Sequence, residues 1–244
     1  MTTTRSDQPT PMAAGSLIDA VHHAVRRRIL AGAVTPGSLV TELAVATEFG
    51  VARVTAKAAV ERLVQDGLLR RTAHKSARVP VVDANDVFDA YFSRRLLEGS
   101  AIQQLAEEGR VPEQTRIALK RFDAAAEHSE WGQVAESESA FHRSLVDALG
   151  IFRLSRIFGS YMDEIQLYQT QVDYQTEDLA AETRQEYGAT IAAIEARNSA
   201  QAARIIDAHL YKRCTRIVEQ VRDHTNPAPT ATLIWPSQWR REET

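Results

Sequence analysis

Strand signals occur in one stretch of this chain only. Leu68 to Arg71 and Ala77 to Val82 read as two short strands around the polar turn Thr72 to Ser76. Every other strongly periodic segment is helical. A chain with so little sheet must bury its apolar residues by packing helix on helix, with one hairpin attached at most. Ahead of the hairpin, Leu17, Ile18, Val21, Val25, Ile29 and Leu30 recur at helical spacing up to Ala31. Gly32 stops that helix, and Pro36-Gly37 makes a turn. Thr41 offers an N-cap hydroxyl to a short helix through Phe49, with Glu42 favourably placed in its first turn. Gly50 ends that helix. A third helix is predicted from about Val54 to Asp66, with Ala56, Ala59, Val60, Leu63 and Val64 as its apolar face and Gly67 beyond its end.

After Val82 the pattern is helical throughout. Asp83 or Asn85 caps a long helix, Asp86–Glu108, which Gly109 and Pro112 close. Further helices are predicted at Pro112–His128, Trp131–Leu149, Phe152–Gln171, Leu179–Arg197 and Ala200–Arg222. The fold class expected is mainly α: an N-terminal winged helix-turn-helix over residues 16–82 (three helices plus a β-hairpin), then an all-α antiparallel bundle of about six helices over 83–223. Residues 1–15 read as a disordered arm rich in Thr, Ser and Pro. Residues 224–244 read as an extended tail whose Ile234, Trp235 and Trp239 are apolar enough to dock on a surface.

Charge separates the two parts. From Ser16 to Pro80 there are ten Lys or Arg against five Asp or Glu, whereas from Val81 onward there are 18 against 26. An overall charge of -3 thus hides a head at +5 and a body at -8. A basic head on an acidic body is the asymmetry expected of a nucleic-acid-binding module joined to a regulatory one. The single cysteine, Cys214, excludes an intrachain disulfide framework and a multi-thiolate zinc site, and suits a reducing cytoplasm. No run is apolar enough to span a bilayer, and the N-terminus lacks the apolar segment of a secretory signal, so no membrane association is expected.

A helix that enters a major groove must be slender and must carry donors at its exposed start. VARVTAKAAVERL has that form. Arg53, Thr55 and Lys57 point away from the Ala56/Val60/Leu63 face, and Ala52 and Ala58 keep the surface slim. The forked guanidinium of Arg53 suits guanine O6 and N7, while Thr55 and Lys57 suit phosphates. Lys75, Ser76 and Arg78 in the hairpin complete the expected DNA contacts, toward the backbone or the minor groove. The string from Ile29 to Glu42 (ILAGAVTPGSLVTE), FGVAR at Phe49 to Arg53 and AAVERLVQDGLLRR at Ala58 to Arg71 together resemble the DNA-binding head of the GntR family of regulators. The family has Ser-Arg-x-Pro-Val-Arg-Glu-Ala-Leu where this chain runs Ala52-Arg53-Val54-Thr55-Ala56-Lys57-Ala58-Ala59-Val60. Lys57 for arginine keeps the charge and loses the fork.

The body resembles the effector domain of the FadR-like subgroup (FCD type). Arg94-x-x-x-Glu98, Glu138-x-x-Phe141-His142, and Ala202 with His209-Leu210 carry the resemblance. It implies a homodimer, a double-stranded DNA operator as partner, and a helical pocket for a small-molecule effector of carboxylate type. Glu138 and His142 share a helix face, and with His209 they offer one carboxylate and two imidazoles to a divalent cation such as zinc or nickel. Relatives implied by the resemblance use a third histidine, and Tyr187 stands at that position here. A neutral phenol is a poor ligand. The competing reading is a metal-free polar pocket in which Arg94, His142, Tyr187 and His209 bind the effector or one another. Arg94 is either an anion clamp or the salt-bridge partner of Glu98 one turn on. Tyr161, Tyr168 and Tyr174 recur at roughly heptad spacing, as a packing face does.

Function then divides three ways: a ligand-responsive transcription regulator, by default a repressor on a palindromic operator; a metal-dependent enzyme built on Glu138, His142 and His209; or a dimeric DNA-binding protein with no effector. The sequence lacks H-E-x-x-H, G-x-S-x-G and a glycine-rich phosphate loop, and an enzyme leaves the basic head without a purpose. The expectation is a regulator and not an enzyme.

Overall fold

The computed structural model describes residues 14–72, 75–172 and 175–224. The arm, apart from its last two residues, and the Trp-bearing tail lie outside the described residues, as does Tyr174. The head comprises α1 (Ala14–Leu30), β1 (Leu39–Val40), α2 (Glu42–Phe49), α3 (Arg53–Gln65) and β2 (Ala77–Arg78). The body comprises α4 (Ala84–Glu108), α5 (Glu113–Glu127), α6 (Trp131–Asp147), α7 (Phe152–Gln169), α8 (Glu177–Glu195) and α9 (Ser199–His224). Among the described residues the body contains no strand, and none of the helices is long and apolar enough to cross a membrane.

Local signals account for most helix boundaries. The Thr41 hydroxyl accepts from the Ala44 amide at 3.1 Å and starts α2. Gly50, at φ 61°, ends α2 in the left-handed region, so the chain reverses within a few residues before α3. Asp83 starts α4: its carboxylate accepts from the Asn85 and Asp86 amides at 2.8 and 2.9 Å, and Asp86 accepts in return from the Asp83 amide at 3.2 Å. Helix α1 begins at Ala14, three residues ahead of the predicted start and inside the segment read as an arm.

The sheet departs from expectation. Leu39–Val40, to which the sequence assigns no element between the Pro36-Gly37 turn and the Thr41 cap, is a strand that pairs antiparallel with Ala77–Arg78, Leu39 opposite Arg78 and Val40 opposite Ala77. The predicted strand Leu68–Arg71 contributes one bridge, with Arg70 N–H donating to Arg78 O at 2.8 Å and Arg78 N–H to Arg70 O at 2.9 Å. The predicted strand Ala77–Val82 is cut short because Pro80 has no N–H to give, and the Val82 amide is taken by Gln171 Oε1 of the body at 3.2 Å. The two-residue strand at Leu39 was invisible because two positions cannot display an alternation.

Gly67 has φ +77° and follows α3. A Cβ there would run into the Glu164 carboxyl group of α7. Gly67→Ala is expected to lower stability by about 1–2 kcal/mol or more, from the left-handed conformation and the lost clearance together. A urea melt of the variant that matches the parent would contradict this.

In the body, α4 and α9 form the most extensive helix pair and α5 packs on α6. Phe122, Phe141, Phe158, Ile102, Leu105, Leu145, Ile194, Ile206, Leu210 and Ile217 fill the interior. Polar residues enter it too: Arg94, Glu98, His142, His209 and Arg213 are all buried. Burying charge is unfavourable unless each group finds a partner, so these positions mark the interior of interest.

Candidate functional site

Two regions stand out, one on each part. On the head, arginines and lysines divide into those matched by carboxylates and those left over. Arg26 is bound to Asp163, Arg28 to Glu48, Arg62 to Asp19, Arg70 to Asp86, and Arg71 to both Glu42 and Glu61. Arg78 donates from Nη1 to the Gly37 carbonyl at 2.9 Å, so one of the predicted contact residues also ties the turn at Gly37 to the wing. Among the described residues, Arg53, Lys57, Lys75 and Arg27 have no such partner and are exposed.

Arg53 and Lys57 lie in the first turns of α3, and the valine between them, Val54, is 74% exposed. The opposite face of α3, Ala56, Ala59, Val60 and Leu63, is sealed in the core. The helix is therefore anchored along one side and bare along the other. Thr55 is half-buried, at the edge of the bare side. The N-cap is Ala52, which supplies no side-chain acceptor, so the first-turn amides remain open to an outside oxygen. Lys75, Ser76 and Arg78 are exposed on the wing.

In the body, α4, α6, α7 and α9 converge on a cavity of about 10 Å³, roughly the space one water requires. Tyr91, Arg94, Glu138, His142, His209 and Arg213 supply its polar lining. Arg94 is only 2% exposed, and its Nε donates to Glu98 Oε2 at 3.0 Å, while Nη2 has no partner among the described residues. One edge of the Arg94 guanidinium thus holds Glu98, as the salt-bridge reading has it, and the other edge is unspent. The Tyr91 hydroxyl is likewise without a partner among the described residues.

The histidines are held in matching ways. His142 Nδ1 donates to Glu98 Oε1, and its Nε2 accepts from the Tyr187 hydroxyl at 2.8 Å. His209 Nδ1 donates to Glu186 Oε2 at 2.7 Å. A carboxylate on Nδ1 assigns the proton there and leaves Nε2 as the acceptor. Burial, reinforced by the Arg94 charge, pulls His142 down to about 4, and burial with the Arg213 charge pulls His209 down to about 3. Burial alone would raise Glu98 and Glu186. The histidines and arginines around them outweigh it and hold both at about 2. Burial raises the Glu138 carboxyl and the Tyr187 phenol. At neutral pH the imidazoles are neutral, and their contacts with Glu98 and Glu186 are hydrogen bonds to carboxylates.

The stability of the body should therefore fall with acid. An unfolded imidazole binds its proton near pH 6.5, whereas His142 and His209 stay neutral in the folded chain down to about 4 and about 3. Their contribution is complete above about pH 6.5 and is lost as pH drops toward those values, at about 1.4 kcal/mol per unit for each. Glu138, whose proton is held more tightly than usual, offsets part of the loss. The urea midpoint should decline between pH 7 and pH 5, and a flat midpoint would contradict the burial of the imidazoles.

Glu138, His142 and His209, the predicted metal ligands, all line this cavity. They do not form a ligand set: among the described residues no three His, Cys, Asp or Glu are grouped to hold a metal ion. His142 Nε2 is engaged by Tyr187, and Glu138 Oε2 accepts from Gln175 Nε2 at 2.9 Å. As arranged, the residues do not fit a metal. Sequence reading passed over Glu186, Gln175, Tyr91 and Arg213. Arg213 sits one helical turn after His209, fully buried, and donates to Thr183 Oγ1 at 2.5 Å and to Glu186 at 3.4 Å. Its spacing from His209 was the available signal; its partners on α8 had none. Of the tyrosines, Tyr168 is buried with its hydroxyl on Glu164 at 2.9 Å, as a packing residue should be.

Comparison with known proteins agrees with this division. Residues 17–79 match the family model for bacterial regulatory proteins of the gntR family, and residues 89–212 match the FCD domain. The Nta operon transcriptional regulator of Aminobacter aminovorans is 28% identical over 77% of this chain and 88% of its own length. A crystal structure of a putative GntR transcriptional regulator from Rhodococcus sp. RHA1 superposes with a TM-score of 0.74 at 20% identity, over 84% of this chain and 98% of that one. McbR/YncC of E. coli superposes with a TM-score of 0.71 at 18% identity, over 86% and 99%. At these identities the two structures establish the fold.

Proposed function

This chain belongs to the GntR family of bacterial regulatory proteins, with an FCD domain as its effector-binding body, and from that premise we propose that it is a homodimeric repressor released from a palindromic operator by a small carboxylate. It is a DNA-binding transcription regulator and not an enzyme. In the proposal, two copies place two α3 helices in successive major grooves. Arg53 reads a base edge, Thr55 and Lys57 with Lys75, Ser76 and Arg78 hold phosphates, and the working compartment is the cytoplasm.

The observation that carries the proposal is the division of cations on the head. Five arginines there are matched by carboxylates, and the unmatched charges include those at the start of α3 and on the wing. Unmatched cations are the ones free to displace the counterions condensed on DNA phosphates. If Lys57, Lys75 and Arg78 of each copy meet a phosphate, the logarithm of affinity should fall against the logarithm of salt with a slope of about -5. A fluorescence titration across salt concentrations measures it, and a slope near zero would sink the DNA-binding reading.

The effector assignment rests on Arg94 and Tyr91. A buried guanidinium edge and a buried hydroxyl, both without partners among the described residues, favour a carboxylate over a neutral or cationic ligand. The site is read as metal-free, because Tyr187 takes the histidine nitrogen that a cation would need.

A further inference from the structure

Helix α7 separates the cavity from the head, and its two sides touch different things. A helix turns about 100° per residue. Met162, Ile165, Gln166 and Gln169 therefore fall on one side, and all four line the cavity. Asp163 and Glu164 fall on the other side, toward the head. Asp163 is buried and takes Arg26 of α1 at both carboxylate oxygens, the Nε contact being 2.6 Å. Glu164 closes against Gly67, just beyond α3. Two residues past the helix end, Gln171 clasps the segment between wing and body: its Nε2 donates to Pro80 O at 3.0 Å, and its Oε1 accepts from Val82 N–H at 3.2 Å.

The cavity holds about one water. A carboxylate with any carbon body must displace a wall to enter. The α4 and α9 walls brace each other through the most extensive helix pairing in the chain. The α7 wall is braced partly by the head itself. Resting on the regulator reading above, we infer that α7 is the lever by which occupation of the cavity repositions the DNA-binding head, with Asp163 and Gln171 as the positioning residues that transmit its shift.

The ligand can be imitated by a side chain. Ala135 of α6 lines the cavity from the wall facing α7, and Ala135→Leu adds bulk there. The probe is a duplex that the full-length parent selects from a random-sequence pool. Ala135→Leu is expected to weaken binding of that duplex about tenfold. In a background carrying Asp163→Asn and Gln171→Ala, the same wedge should change affinity little, because the lever is disconnected. Asp163→Glu, which keeps the charge, should retain the response. Should Ala135→Leu fail to fold, Ser139→Leu fills the same cavity from the next turn of α6. An equal loss in both backgrounds, or no loss in either from a folded wedge variant, overturns the lever while leaving the DNA-binding reading intact. A parent that enriches no duplex overturns that reading, and the lever with it.

Discussion

Arg53→Ala is expected to weaken binding to the selected operator about 10- to 100-fold and to erase most of the discrimination against random DNA. A bidentate arginine on guanine contributes about 1–3 kcal/mol of discrimination. Arg53 has no carboxylate to release first among the described residues, and it opens α3 beside amides that the Ala52 cap leaves free. The contrast with neighbouring arginines makes the prediction specific. Arg71 is held by Glu42 and Glu61, so Arg71→Ala should lower thermal stability and leave base preference alone. Lys57→Ala should weaken all duplexes alike and reduce the steepness of the salt dependence by about 1 per copy. Competition titrations with operator and random duplexes separate these outcomes. An Arg53→Ala variant with unchanged preference would show that α3 does not read bases.

Tyr187→His should convert a metal-indifferent body into a metal-binding one. The rings of His142, Tyr187 and His209 lie 5.2, 5.2 and 5.4 Å apart, centroid to centroid. Three imidazoles around one zinc ion, each at about 2.1 Å, set their centroids about 5 Å apart. The two existing histidines already carry the carboxylate on Nδ1 that orients a metal-binding imidazole. On the metal-free reading the phenol stands in the way of coordination: burial keeps it protonated, and it occupies the nitrogen of His142. Without metal the variant should melt below the parent, since it loses that hydrogen bond and the stack on Phe141, whose ring centroid is 3.8 Å from that of Tyr187. With zinc or nickel at about 100 times the dissociation constant, binding contributes about 2.7 kcal/mol, a rise of about 5–10 °C. The parent should melt at one temperature with zinc, with nickel or with chelator. A parent that loses stability on chelation would refute the metal-free site.

Residues close in sequence carried most of what could be read in advance. Thr41, Gly50, Asp83, Gly67 and Gly109 punctuate the helices through bonds that span a few residues, so their effect is written locally. The apolar face of α3 and the exposed start carrying Arg53 and Lys57 follow from helical period alone. The wing was legible only in part, because Leu39–Val40 acquires strand geometry from a partner far along the chain.

The candidate site shows the same division. Arg94, Glu138, His142, Tyr187 and His209 stood out through the family resemblance, and the spacing of Glu138 and His142 placed those two on one helix face. Their bonding stood out in neither way. Glu98 finds His142 across 44 positions, and Glu186 finds His209 across 23. Whether His142 faces a cation or a phenol depends on where α8 lies against α6, which is set by packing across the whole body.

By itself, the amino-acid order determined the helices, their ends, the basic face of α3 and the part of the chain that would bury polar groups, because caps and periodicity act within a turn or two. The tertiary structure alone decided which cations are spent on carboxylates, which nitrogen of His142 is taken, and that Asp163 of the body grips Arg26 of the head across 137 positions. Charges separated by that much chain meet only after the helices have packed, and nothing in their immediate neighbourhood announces the meeting.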